Sequence, residues 1–128
     1  MIVVATALAV AAIAVPSMAA SGTATVKTRH GKLGTYLVDR NGMTLYYFER
    51  DDSGTKSTCN DACAGKRPPL AAADNAVATG DYTVITRNDG KKMWAYRYRP
   101  LYTSQKDAAP GDVNGDDPTQ LWHVARPY

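Results

Sequence analysis

Glutamate is almost missing from this chain. Of 12 acidic residues only Glu49 is a glutamate, and the rest are aspartate. Glutamate favours helix interiors, whereas aspartate favours turns and caps, so the composition argues against a helical bundle. Cysteine and histidine are scarce too, with two Cys and His30 and His123 as the two histidines. A four-ligand structural zinc site would need all four of them to converge. No glycine-rich phosphate loop occurs, and no serine stands in a G-x-S-x-G elbow. The net charge of +3 is small for a dedicated polyanion binder. Ten glycines and seven prolines point to a turn-rich fold. The 45% hydrophobic and 21% charged residues are those of an ordinary globular mix, and 128 residues allow one domain.

No Lys or Arg precedes Lys27. Ile2 to Val15 is an apolar run broken only by Thr6, followed by Pro16 and then Ser17-Met18-Ala19. This pattern predicts a secretory signal peptide over residues 1–19 with a small-x-small cleavage site. The run falls short of the ~20 apolar residues that a membrane span needs. Residues 20–32 are small and polar and predict a flexible arm, and residues 33–128 form the domain. No membrane span is expected once the signal is cut. Export places the chain in the periplasm or outside the cell, which is oxidising, so Cys59 and Cys63 are expected to be bonded to each other. Their C-x-x-x-C spacing is not the C-x-x-C of thioredoxin-like sites.

From Leu33 the pattern becomes strand-like. Thr35-Tyr36-Leu37-Val38 and Met43 to Phe48 flank Asn41-Gly42, and Tyr82 to Thr86 and Lys92 to Tyr96 flank Asp89-Gly90. Asn-Gly and Asp-Gly between such runs predict hairpins. Tyr98-Arg99-Pro100 then bends the chain into Leu101-Tyr102-Thr103, and Leu121 to Ala125 is the last strand expected. Thr58 to Gly65 predicts one or two helical turns, capped by Thr58 or Asn60 and stopped by Gly65. Leu45-Tyr46 with Asp51 recurs as Leu101-Tyr102 with Asp107, 56 residues later. The fold class expected is all-β and mostly antiparallel, with two related hairpin or meander units and one short helix around the cysteine pair.

Leu45-Tyr46-Tyr47-Phe48-Glu49-Arg50-Asp51 matches a Y-x-[FWY]-x-x-D pattern. Further pieces follow in order: Cys59 with Ala62-Cys63, Pro68-Pro69-Leu70, Gly80-Asp81-Tyr82-Thr83, Trp94-Ala95-Tyr96, Pro100-Leu101-Tyr102 and Trp122-His123-Val124. Together they resemble a family of bacterial exported proteins known as predicted lipoproteins, or the secreted repeat of unknown function. The resemblance covers residues 33–127 and implies an exported repeat architecture with no established activity. It marks Tyr46, Phe48, Asp51, Trp94, Tyr96, Tyr102, Asp107, Trp122 and His123 as motif residues. The chain departs from that pattern in three places. No lipid-attachment cysteine is present, Arg67 stands where a Trp precedes the Pro-Pro pair, and Ser104 stands where the second copy has an aromatic.

Four groups of residues could carry chemistry. Tyr46 and Phe48 share a strand face, with Asp51 close by; two core aromatics and a turn-capping aspartate are favoured over a ligand pocket. In Lys92 to Arg99, alternation sets Trp94, Tyr96 and Tyr98 against Met93, Ala95, Arg97 and Arg99. A half-buried strand with a basic solvent side is favoured, and Lys92, Arg97 and Arg99 then offer a ligand surface. Asp112, Asn114 and Asp116 resemble the opening of a calcium loop, but Asp117 stands where its glycine belongs. Trp122 and His123 point to opposite strand faces. The expectation is an exported, non-enzymatic binding module for an unknown envelope or extracellular ligand, with no cofactor and no nucleic acid. The alternative is a redox- or metal-handling envelope protein.

Overall fold

The computed structural model describes residues 24–51 and 54–128. The expected signal peptide, residues 1–19, lies outside the described residues. Among the described residues no helix is long and apolar enough to cross a membrane.

Eight short strands and one helical turn make up the described chain, and every strand pairing is antiparallel. β1 (Lys27–Gly31) pairs with β2 (Gly34–Val38) through a two-residue turn at Lys32-Leu33. The end of the segment expected as an arm, residues 20–32, thus lies in this hairpin. β1 is exposed along its whole length, so it carries no apolar alternation that a sequence pattern could register. Backbone pairing holds it, helped by a 2.7 Å contact between Thr35 Oγ1 and His30 Nδ1.

The turn at Asn41-Gly42 forms as expected, with Gly42 at φ 84° and the Asp39 N–H bonded to the Met43 carbonyl. The hairpin above it is short. Val38 bridges Thr44, and the chain then leaves β2, so that β3 (Tyr46–Phe48) pairs with β8 (Trp122–Val124) instead. The second hairpin is complete. β5 (Tyr82–Thr86) pairs with β6 (Lys92–Tyr96) over five residues, and Gly90 takes φ 82° in the turn. β4 (Ala71–Ala72) and β7 (Arg99–Pro100) share the other edge of β6.

β6 is central, and this corrects the expectation of a half-buried strand. Met93, Trp94, Ala95 and Tyr96 are all buried, so both faces are covered. Met93 and Ala95 join a cluster with Tyr36, Tyr46, Tyr102 and Trp122, whereas Tyr96 joins Leu37, Leu45 and Leu101 on the other side. Strict alternation also ends at Tyr96. Arg97 and Tyr98 sit at φ 44° and 66° and form the two-residue turn into β7. Positive φ at both central positions is what the right-handed twist of a tight hairpin demands, although neither residue is glycine.

α1 (Ala62–Lys66) begins and ends later than the sequence indicates, with Asp61 as N-cap and Arg67 as C-cap. Neither Thr58 nor Asn60 caps it: Thr58 turns to Asp51 and the Asn60 side chain to the Ser57 carbonyl. Cys59 and Cys63 are bonded to each other at its start. So short a ring removes little entropy from the unfolded chain. The Cys59→Ala/Cys63→Ala variant is therefore expected to fold and to lose about 2 kcal/mol in urea denaturation.

Candidate functional site

The repeated Tyr and Asp residues meet at the centre of the molecule, and they do so crosswise. The Tyr46 hydroxyl donates to Asp107 Oδ2 at 2.6 Å, and the Tyr102 hydroxyl donates to Asp51 Oδ2 at 2.5 Å. Each tyrosine thus uses the aspartate of the other copy. The two backbones do the same: the Tyr46 N–H bonds the Tyr102 carbonyl at 2.7 Å, and the Tyr102 N–H bonds the Tyr46 carbonyl at 2.9 Å. That reciprocal bridge places an approximate twofold axis between the copies.

The second carboxylate oxygens repeat the pattern. Asp51 Oδ1 accepts from the Thr58 N–H and hydroxyl at 2.7 and 2.6 Å, and Asp107 Oδ1 accepts from the Asn114 N–H at 2.8 Å. Thr58 and Asn114 lie equally far beyond their aspartates. The expected Asp51 cap therefore closes a longer loop than the turn directly after it. Around Tyr102 the donors run in one direction. Buried Arg87 donates to Ser57 Oγ at 2.9 Å, and Ser57 and Tyr102 share a 2.5 Å bond that ends on Asp51. Arg87 also donates to the Cys59 carbonyl at 2.6 Å, which ties the disulfide loop to the sheet.

These groups are spent on one another, which leaves the motif a structural task. Burial lifts the Tyr46 and Tyr102 phenols far above their ordinary range, and the carboxylate acceptors add to it. Burial also raises Tyr82, to about 12. A phenol with a raised folded pKa contributes stability that is whole below the unfolded value of ~10 and is lost as pH rises through the folded value. Stability is therefore expected to fall above about pH 10. Tyrosinate absorbance and circular dichroism should then change together rather than in sequence.

Lys92, Arg97 and Arg99, expected to offer a ligand surface, differ in their surroundings. Lys92 donates to the Asp74 carbonyl at 2.7 Å, Arg97 pairs with Asp81 at 3.3 Å, and Arg99 lies in β7. An aromatic and basic surface forms around Arg99. The Arg99 guanidinium lies 4.0 Å from the Tyr47 ring centre and 5.9 Å from that of Tyr128. Arg97 lies 5.0 Å from Tyr128. Tyr47 stacks on His123 at 5.0 Å, and His123 Nε2 is 3.0 Å from Glu49 Oε2. Arg126 donates to the Leu33 carbonyl. Of these, Tyr47, Arg99, His123, Arg126 and Tyr128 line a shallow pocket of about 390 Å³, together with Asp116. Tyr47, Arg126 and Tyr128 were not legible as site residues. Only the pairings of β3 with β8 and of β6 with β7 bring them together. The one available signal was that Tyr47 alternates away from Tyr46 and Phe48.

The residues considered for metal chemistry are placed apart. Asp112 Oδ2 accepts from the Ala108 and Ala109 N–H groups, and the Asn114 side chain donates to the Lys106 carbonyl. Asp116 is exposed beside the Tyr47 pocket. Among the described residues no group of three or more His, Cys, Asp or Glu is placed to hold a metal ion. Phe48 and Trp122 stack at 4.4 Å, and Trp122 meets Tyr102 edge-on.

Comparison with known proteins agrees with the division into two copies. A family model described as "Secreted repeat of unknown function" matches the chain twice, over residues 27–71 and 83–126. No curated protein and no solved structure matches it.

Proposed function

The chain belongs to the family of secreted repeats of unknown function, and from that premise we propose that it is an exported, non-enzymatic binding module of the periplasm or extracellular space. Its contact surface is the Tyr47–Arg99–Tyr128 pocket, and its ligand is an acidic polymer such as a uronate polysaccharide. One observation supports this above the rest: the Arg99 guanidinium lies over the Tyr47 ring and near that of Tyr128 in a pocket open to solvent, and Arg97 flanks Tyr128 at its edge. Guanidinium groups held against aromatic rings keep their charge for pairing with carboxylates. Arg97 already pairs with Asp81 and His123 with Glu49. In the lining, the two arginines Arg99 and Arg126 outnumber the one carboxylate, Asp116.

Titration of the protein with polygalacturonate tests this reading. Binding should weaken as salt is raised, and dextran, which is neutral, should not bind. Arg97→Ala/Arg99→Ala should weaken binding about tenfold while the melting temperature changes little. Binding that salt or this double variant leaves unchanged would overturn the reading.

A further inference from the structure

The twofold relation makes one half of the molecule a reference for the other. In β3 and β8, Phe48 and Trp122 are register partners and their rings stack. On the other side of the axis Tyr102 bridges Pro69, as Tyr46 pairs with Val124. Two residues further along, Ser104 and Arg67 occupy the places of Phe48 and Trp122. The backbone bonds confirm the match: the Glu49 N–H bonds the Leu121 carbonyl, and the Gln105 N–H bonds the Lys66 carbonyl. Where one half holds a stacked aromatic pair, the other holds a serine and an arginine.

Space opens at that point. A pocket of about 400 Å³ lies between α1 and the Ser104–Lys106 segment, with Ala62, Cys63 and Trp122 as an apolar wall. Arg67 lines it and is only 8% exposed. Its guanidinium lies 4.3 Å from the Trp122 ring centre, and its Nη1 finds no hydrogen-bond partner among the described residues. A buried donor without a partner is uncommon in native proteins. Nη1 packs inward against Gly115, where any Cβ would come within 2.8 Å of it. Lys66 and Lys106 add positive charge to the lining. The one acid in the lining, Asp117, accepts from the Thr119 N–H at 2.9 Å.

We infer that this pocket is a second binding site, separate from the polymer surface, for a small organic carboxylate whose charge meets Arg67 and whose apolar part rests on Trp122. With Nη1 turned to Gly115, the guanidinium beside Trp122 presents its remaining N–H groups to the pocket it lines, and a carboxylate accepts from these. Arg97 and Arg99 are not part of this pocket, so the two readings stand or fall separately.

Benzoate, with benzamide as its neutral isostere, tests the site by NMR on the intact folded domain. Benzoate should shift the Trp122 indole N–H and the Arg67 Nε–H in a saturable way, whereas benzamide should not. Ser104→Phe restores an aromatic at the position related to Phe48 and fills the pocket from the other strand. It should keep the fold and weaken benzoate at least tenfold, and Arg67→Gln should do the same. Arg97→Ala/Arg99→Ala should leave benzoate binding unchanged. Equal shifts from benzamide, shifts from inorganic phosphate but not benzoate, or no shifts at Trp122 and Arg67 would each overturn the assignment. The wild-type titrations decide it even if a variant fails to fold.

Discussion

Asp51→Ala is expected to destabilise the domain by about 3–5 kcal/mol, because it strands the buried Tyr102 hydroxyl and the network behind it and releases the Thr58 loop. The Tyr102 hydroxyl, the Thr58 N–H and the Thr58 hydroxyl all lose their acceptor. The chain of donors that starts at Arg87 then ends on nothing. A double-mutant cycle makes the result specific. Tyr102→Phe and Asp51→Ala should couple by about 1.5–3 kcal/mol, as a charged hydrogen bond does. Tyr46→Phe and Asp51→Ala share a motif in sequence but no hydrogen bond, and should be close to additive. Urea denaturation measures the three single and two double variants. Coupling that follows the sequence motif rather than the crossed pairs would refute the geometry.

Trp94→Ala should cost a similar amount, about 3–5 kcal/mol, as large-to-small changes in a packed interior do. Trp94 is 5% exposed on the central strand and faces Val84 across the ladder. No neighbouring strand is free to collapse into the space, since β5 holds one edge of β6 and β4 and β7 hold the other. In a Trp122→Phe background Trp94 is the sole indole. Its emission should then be blue-shifted and poorly quenched by acrylamide. A quenchable Trp94 whose removal leaves the melting temperature unchanged would contradict its burial.

What could be read in advance divides along a physical line. Local signals were legible: Asn41-Gly42 and Asp89-Gly90 each place a turn, and the turn-rich, glutamate-poor composition matches a strand-built fold. The Tyr46/Asp51 and Tyr102/Asp107 echo was visible as well. Its crossing was not, because spacing says which residues correspond and nothing about which copy they bond. β1 was missed because an all-exposed strand has no apolar period. The aromatic partners of Arg97 and Arg99 were hidden for a related reason. Alternation assumes one continuous strand, and the turn at Arg97-Tyr98 ends it. Arg67 and Ser104 each stood out alone, but their adjacency depends on a register that only the folded chain supplies.

The crossed tyrosines also constrain how the two repeats can change over generations. A repeat is ordinarily free to drift while its twin keeps the original task. Here neither twin contains its own acceptor, so a substitution at Tyr102 is answered at Asp51 and one at Tyr46 at Asp107. The halves must vary as a reciprocal pair. The same holds where they have parted company: Arg67 lies in the first matched segment and Ser104 in the second. The pocket between them is thus the joint product of one change in each repeat: a duplicate of the first half alone would lack Ser104 and Trp122, and a duplicate of the second alone would lack Arg67.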